Sequence, residues 1–145
     1  MSSRGSTWDS ILGCGRYGSD IAAIDRALEH TFSRCAVGPV RVAVGGYSDG
    51  ASYALSLGLA NGDLFSHVLA FSPGLLALAG QRGSPRIFVS HGTQDGWLAI
   101  DSCSRMIVPQ FERAGFEVRY REFEGGHVVP PAIAREAATW FANRN

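Results

Sequence analysis

The chain has 145 residues, 46% of them hydrophobic, and its thirteen basic and thirteen acidic side chains cancel to a formal net charge of zero. That length and apolar content fit a single domain, residues 1–145, with a buried core. The charge balance leaves no electrostatic footprint for nucleic acid or an anionic membrane surface, and it does little to oppose self-association.

Residues 2–18 form a Gly/Ser-rich lead-in carrying Trp8, read as loop. Residues 19–32 read as a helix that Ser19 or Asp20 can cap, with Ile21, Ile24, Leu28 and Phe32 on one face. Residues 41–45 (Arg-Val-Ala-Val-Gly) read as a short buried strand. The pentapeptide Gly46-Tyr47-Ser48-Asp49-Gly50 follows, then an apolar helix that Asn61-Gly62 ends. Residues 67–71 are a second strand, closed by Ser72-Pro73-Gly74, and residues 86–90 a third, running into His91-Gly92-Thr93. Residues 101–114 predict a helix with Asp101 as N-cap, a kink at Pro109 and a stop at Gly115. Residues 117–123 alternate apolar and charged side chains, the pattern of a half-buried edge strand. Residues 131–142 form the last helix, with Pro131 suited to its first turn.

Strands alternate with helices, which predicts an α/β fold: a mostly parallel sheet of about four strands with helices on both faces. Such sheets carry their chemistry on loops past the C-terminal ends of the strands. Ser48, Asp95 and His127 all fall on such loops. A serine hydroxyl is a weak nucleophile at neutral pH and needs a base, which in turn needs an orienting group. G-x-S-x-G between a strand and a helix is the setting of a nucleophile elbow, with the serine raised on a strained turn above a helix N-terminus. His127 follows Gly125-Gly126, and Asp95 ends His91-Gly92-Thr93-Gln94-Asp95. Asp101 and Asp49 are rival acids; the first falls where a helix cap is needed and the second points elsewhere in an elbow. His91, at a strand end, reads as a structural hydrogen-bonder, and His30 and His67 have no supporting pattern.

The blocks Gly45-Gly46-Tyr47-Ser48-Asp49-Gly50-Ala51, Phe71-Ser72-Pro73-Gly74, His91-Gly92-Thr93-Gln94-Asp95 and Gly125-Gly126-His127 resemble the phospholipase/carboxylesterase branch of the α/β-hydrolases. Arg4-Gly5-Ser6-Thr7-Trp8-Asp9 resembles a segment that precedes the elbow there. The resemblance implies hydrolysis of carboxylic esters through an acyl-enzyme, with Ser48 as nucleophile, His127 as base then acid, and Asp95 as its orienter. It implies the backbone N–H of Asp49 as one oxyanion donor, and Trp8 and Tyr47 as walls of the substrate pocket. Family members are longer, and the chain reads as N-terminally shortened: no His-Gly-Gly-type run precedes the elbow to give a second oxyanion donor. Residues 72–85 are too few for a folded cap domain, so the expected substrate is a small, short-chain ester. A thioesterase or other acyl hydrolase is the alternative among enzymes. A non-catalytic, truncated hydrolase acting as an acyl-binding or interaction protein is the alternative outside them. No metal or organic cofactor is implied.

Cys14, Cys35 and Cys103 follow no metal-binding spacing and read as free, mostly buried thiols of a reducing compartment. No apolar stretch approaches membrane-spanning length and residues 1–10 are polar, so the expected location is the cytoplasm. The first strand, without its usual neighbour, would expose an edge, and a homodimer through that edge is expected.

Overall fold

A computed structural model describes residue 8 and residues 18–36, 41–76 and 80–143. In chain order the elements are α1 (Ser19–Arg34), β1 (Ala43–Tyr47), α2 (Asp49–Ala60), β2 (His67–Phe71), β3 (Arg86–Gly92), a 3-10 turn (Ile100–Ser102), α3 (Ser104–Arg113), β4 (Val118–Phe123) and α4 (Pro131–Ala142). The four strands make one parallel sheet in the order β1-β2-β3-β4. Each connection between neighbours is a crossover, as parallel pairing requires.

Side chains alternate across the sheet, and the two faces receive different helices. Val68, Ala70, Ile87 and Val89 pack with Ala51, Ala54, Leu55 and Leu59 of α2 and with Ile107, Val108 and Phe111 of α3. Phe88, with Leu69 and Phe71, faces the other way against Ile133, Ala137 and Trp140 of α4. Helices therefore cover both faces. α2 is the central element: residues 51 to 59 are all buried, which explains why its sequence is apolar all round. α1 lies outside this core. Its Ile21, Ile24 and Leu28 pack against a cluster of Tyr53, Leu57 and Phe65, and none of its own residues is fully buried.

Several boundaries depart from the expectations. β1 begins and ends two residues later than expected, because the ladder to β2 runs to the Tyr47–Phe71 pair. Gly18, not Ser19 or Asp20, occupies the N-cap of α1. Asp101 is not a helix cap: it sits in the 3-10 turn, where its carboxylate accepts from Arg105 at 2.8 Å, and Cys103 precedes α3 instead. Pro109 lies inside α3 without ending it. Cys103 is buried as expected but Cys35 is exposed, because it follows the last turn of the peripheral helix α1; Cys14 lies outside the described residues.

α2 comes close to the sheet at Gly58. A Cβ there would stand 2.3 Å from Val68 Cγ2 and 3.1 Å from Val44 Cγ1, and Val68 is fully buried. Alanine gains up to about 1 kcal/mol over glycine in a helix interior. Overpacking a filled core costs about 1–3 kcal/mol. Gly58→Ala is therefore expected to lower stability despite its better helix propensity, seen as a lower urea midpoint with an unchanged slope.

Candidate active site

The C-terminal ends of the four strands lie along one edge of the sheet, because the parallel register pairs Tyr47 with Phe71, Phe71 with Ser90 and Gly92 with Phe123. Ser48 leaves β1 at φ 58° and ψ −126°, a left-handed conformation in a residue with a Cβ. Its N–H donates to the Phe71 carbonyl at 2.9 Å, and its own carbonyl accepts from Ala51 and Ser52, the first turn of α2. The turn closes this tightly only because Gly46 lacks a side chain: a Cβ there would meet the Gly50 carbonyl oxygen at 2.1 Å. Strain of this kind costs about 1–3 kcal/mol and persists only where the surroundings over-determine it.

The loops after β3 and β4 are strapped together. Thr93 N–H donates to the Phe123 carbonyl and Gln94 N–H to the Gly125 carbonyl, both at 2.9 Å. A Cβ on Gly92 would stand 2.3 Å from the Gly126 oxygen and 2.4 Å from that of Gly125, so glycine is required for the approach. This strapping sets Asp95 beside His127. His127 Nδ1 lies 2.6 Å from Asp95 Oδ2, and His127 Nε2 lies 2.9 Å from Ser48 Oγ. An ionised carboxylate only accepts, so Nδ1 carries the proton and Nε2 is left to accept from the serine hydroxyl.

Asp95 is fully buried at its side chain, while His127 keeps 14% exposure. Oδ1 of Asp95 accepts from the N–H groups of Trp97 and Leu98, each at 2.9 Å. Burial pushes this carboxyl up, but the Leu98 N–H, His127 and the Trp97 N–H outweigh it and hold the group below the usual carboxylate range. Tyr47 buttresses the imidazole from the β1 side. Its hydroxyl donates to the His127 carbonyl at 2.6 Å and its ring stacks on the imidazole with centroids 4.8 Å apart. Burial, with a smaller contribution from the Asp95 charge, pushes the Tyr47 phenol up.

The three residues singled out from the strand ends thus come together. Of the rivals, Asp101 is bound to Arg105 on the surface. His67 lies at the opposite end of the sheet, at the start of β2, and His30 is exposed on α1. His91 is a buried hydrogen-bonder as expected, between Ser104 Oγ at 2.6 Å and the Leu98 carbonyl at 2.9 Å. Its Nε2 also lies 3.2 Å from Asp95 Oδ2, a contact the sequence reading missed. Nothing in the sequence signals it, because a four-residue spacing brings side chains together on a helix, and residues 91–95 leave a strand through a turn.

Asp49 is exposed at the first position of α2, next to Ser48. Trp8 and Tyr47 both line an apolar trough of about 520 Å³ that runs beside β1, together with Gly46, Gly50, Tyr53 and residues of α1. Trp8 stacks on Tyr53 with centroids 4.6 Å apart. Ser48 and His127 are not among the residues lining that trough. Among the described residues no cluster of three or more His, Cys, Asp or Glu is placed to hold a metal ion, and no helix is long and apolar enough to cross a membrane.

No protein-family model matches the chain, and no curated protein matches it in sequence. Solved structures do resemble it. The esterase PE8 superposes with a TM-score of 0.71 at 23% identity, over 83% of this chain and 58% of that one. The Bacillus cereus carboxylesterase gives 0.66 at 18% identity, over 83% and 58%. A thermostable esterase gives 0.72 at 18% identity, over 94% and 40%. The chain has the α/β-hydrolase fold, and it spans 58% of the length of the first two of these structures and 40% of the third.

A carboxylate held below its ordinary value stabilises the fold above the unfolded-state value, about 3.9, and loses that contribution as pH falls through the lower folded value. The stability advantage of wild type over Asp95→Asn is therefore expected to be full at neutral pH and to shrink in acid. Urea midpoints of both proteins between about pH 7 and pH 3 measure it.

Proposed function

We propose that the chain is a serine carboxylesterase of small, short-chain esters, working through an acyl-enzyme on an α/β-hydrolase core. The observation that carries the proposal is the unbroken hydrogen-bond chain from Ser48 Oγ through His127 to Asp95, with the serine on a strained turn. The fold shared with structures named as esterases supports it.

In this reading Ser48 Oγ adds to the ester carbonyl carbon as its proton passes to His127 Nε2. The Asp49 N–H, at the N-terminus of α2, faces the resulting oxyanion, where the helix dipole favours negative charge. The tetrahedral adduct collapses, the ester C–O bond breaks, and His127 gives its proton to the departing alkoxide, releasing the alcohol. Water then attacks the acyl-enzyme, its proton goes to His127, and Ser48 Oγ leaves with that proton as the acid is released. Asp95 stays ionised, fixes the imidazole tautomer and stabilises the imidazolium. The imidazole must be neutral to accept the first proton, so the rate rises with pH as it deprotonates. Trp8 and Tyr47 wall the substrate side. Residues 72–85 are too few for a folded cap domain, which suits small acyl groups. No cofactor takes part in this scheme.

Ser48→Ala is expected to keep the fold but lose at least about a hundredfold in turnover of nitrophenyl acetate, and to lose labelling by a fluorophosphonate probe. Rates on wild type should fall steeply from acetyl towards palmitoyl esters. A wild-type chain that neither turns over esters nor takes the probe would leave the non-catalytic acyl-binding reading, and a marked preference for thioesters would make it a thioesterase.

The same proposal includes a homodimer in the cytoplasm. Free thiols at Cys35 and Cys103 suit a reducing compartment. β1 is an edge strand, and among the described residues no strand pairs its outer side. Pairing two such edges about a two-fold axis would run one sheet through both subunits. Sedimentation equilibrium at micromolar concentration is expected to give twice the 15.5 kDa chain mass. A single species at the chain mass would end the dimer.

A further inference from the structure

β1 and β4 are the two outer strands of the sheet, with β2 and β3 between them. Neighbouring strands stand about 4.8 Å apart, so three spacings separate their exits by roughly 14 Å. Ser48 leaves β1 and His127 follows β4. The loop carrying the imidazole therefore has to reach back past the exits of two strands. It does so through Gly125-Gly126, residues with the most backbone freedom to lose on folding.

From the β3 side the reach is supported by Gln94 N–H on the Gly125 carbonyl and by Asp95 Oδ2 on His127 Nδ1. From the β1 side Ser48 Oγ meets His127 Nε2 at 2.9 Å, and the Tyr47 hydroxyl donates to the His127 carbonyl at 2.6 Å. The Tyr47 ring also lies on the imidazole, with centroids 4.8 Å and planes 35° apart. Tyr47 is the last residue of β1, paired with Phe71 of β2 and directly followed by Ser48. The strand end that places the nucleophile thus also places this side chain.

The contacts from the β1 side do not last equally through a reaction cycle. Once Ser48 Oγ carries an acyl group it has no proton to donate, and His127 Nε2 loses that partner. The bond from Tyr47 touches no reacting atom and persists. At this stage the imidazole has still to take a proton from water, which requires Nε2 to face the acyl carbon. The Tyr47 acceptor is a main-chain carbonyl, so the bond fixes the backbone at residue 127 and leaves both ring nitrogens to Asp95 and the reaction. Burial, then the Asp95 charge, pushes the phenol up, so it remains a donor at neutral pH.

We propose that Tyr47 is a positioning residue: it ties the His127 loop to the strand of the nucleophile and holds the imidazole over the acyl-enzyme, so that its loss slows deacylation more than acylation. The proposal rests on the esterase reading. It gives the Tyr47 hydroxyl a task apart from the wall that the ring presents to substrate.

The test is stopped-flow hydrolysis of nitrophenyl acetate by wild type and Tyr47→Phe. The substitution keeps the ring and removes one oxygen from a residue that is 41% exposed, so its urea midpoint should stay near wild type. The burst of nitrophenolate reports acylation, and the steady rate after it reports deacylation. In Tyr47→Phe the steady rate should fall by about fivefold to tenfold, the worth of one hydrogen bond. The burst rate should change by less than about twofold, so kcat and KM fall together and kcat/KM holds. Tyr47→Leu, which lacks the ring as well, should show the same split with a larger loss. A folded Tyr47→Phe protein with wild-type kcat and KM overturns the proposal. So does one whose burst and steady rates fall by the same factor, because that marks a general loosening of the site. A wild type without ester turnover would remove the esterase reading and this inference with it; an active wild type beside an unaltered Tyr47→Phe would remove the inference alone.

Discussion

The parallel register of the four strands is the constraint on which the rest depends. Because neighbours run the same way and are aligned end to end, the exits of β1, β3 and β4 fall along one edge of the sheet. Residues separated by 79 and 32 positions in the chain are thereby brought within hydrogen-bond distance. The crossover helices α2 and α3 cover one face and α4, after the last strand, covers the other, and the two-residue alternation of the strands supplies a separate apolar surface to each.

Alignment alone leaves the loops too far apart; the last few ångströms come from missing side chains. Gly46 lets the turn at Ser48 close against Gly50, and Gly92 lets the β3 exit lie on Gly125 and Gly126. The cost is a serine in the left-handed region. Its neighbour across the sheet, Ser72 at the exit of β2, shares that conformation at φ 51° and is tied to the Ser90 carbonyl at 2.7 Å. What offsets the strain is packing behind it. α2 is buried over nine consecutive residues, and its Ser52 hydroxyl accepts from the N–H groups of Gly74 and Leu75, which locks the next loop to the same helix.

Electrostatics within the site follow from burial with full compensation. A carboxylate without solvent contact is costly unless its lone pairs are satisfied. Asp95 is satisfied by two backbone donors and the His127 imidazole, and so remains a charge inside the protein. Outward of this centre, the edge strand β4 carries Arg119 and Arg121 paired with Glu136 of α4, and Glu122 with Arg105 of α3. These exposed pairs contribute little stability each. They line the free edge with charge, which discourages strand addition there, while β1 has no such row.

Much was legible in the residues themselves, because local physics writes directly into sequence. Alternation of short apolar runs with amphipathic ones determined an α/β sheet with helices on both faces. The glycines around Ser48, and the position of Asp95 and His127 just past strands, marked the three loop residues that meet. Aspartate before Gly96 signalled a turn, and Asp95 does accept from the N–H two residues on, at Trp97. Element ends were less legible. Asp101 had the chemistry of a cap, but Arg105 one turn away claimed its carboxylate. What the tertiary structure alone decided were contacts between segments distant in the chain: Tyr47 bracing His127, and Ser104 of α3 holding His91 against Asp95. Periodicity and turn chemistry record what a residue does to its own backbone. Which buried polar atoms must satisfy one another is settled only when the sheet and its helices close around them.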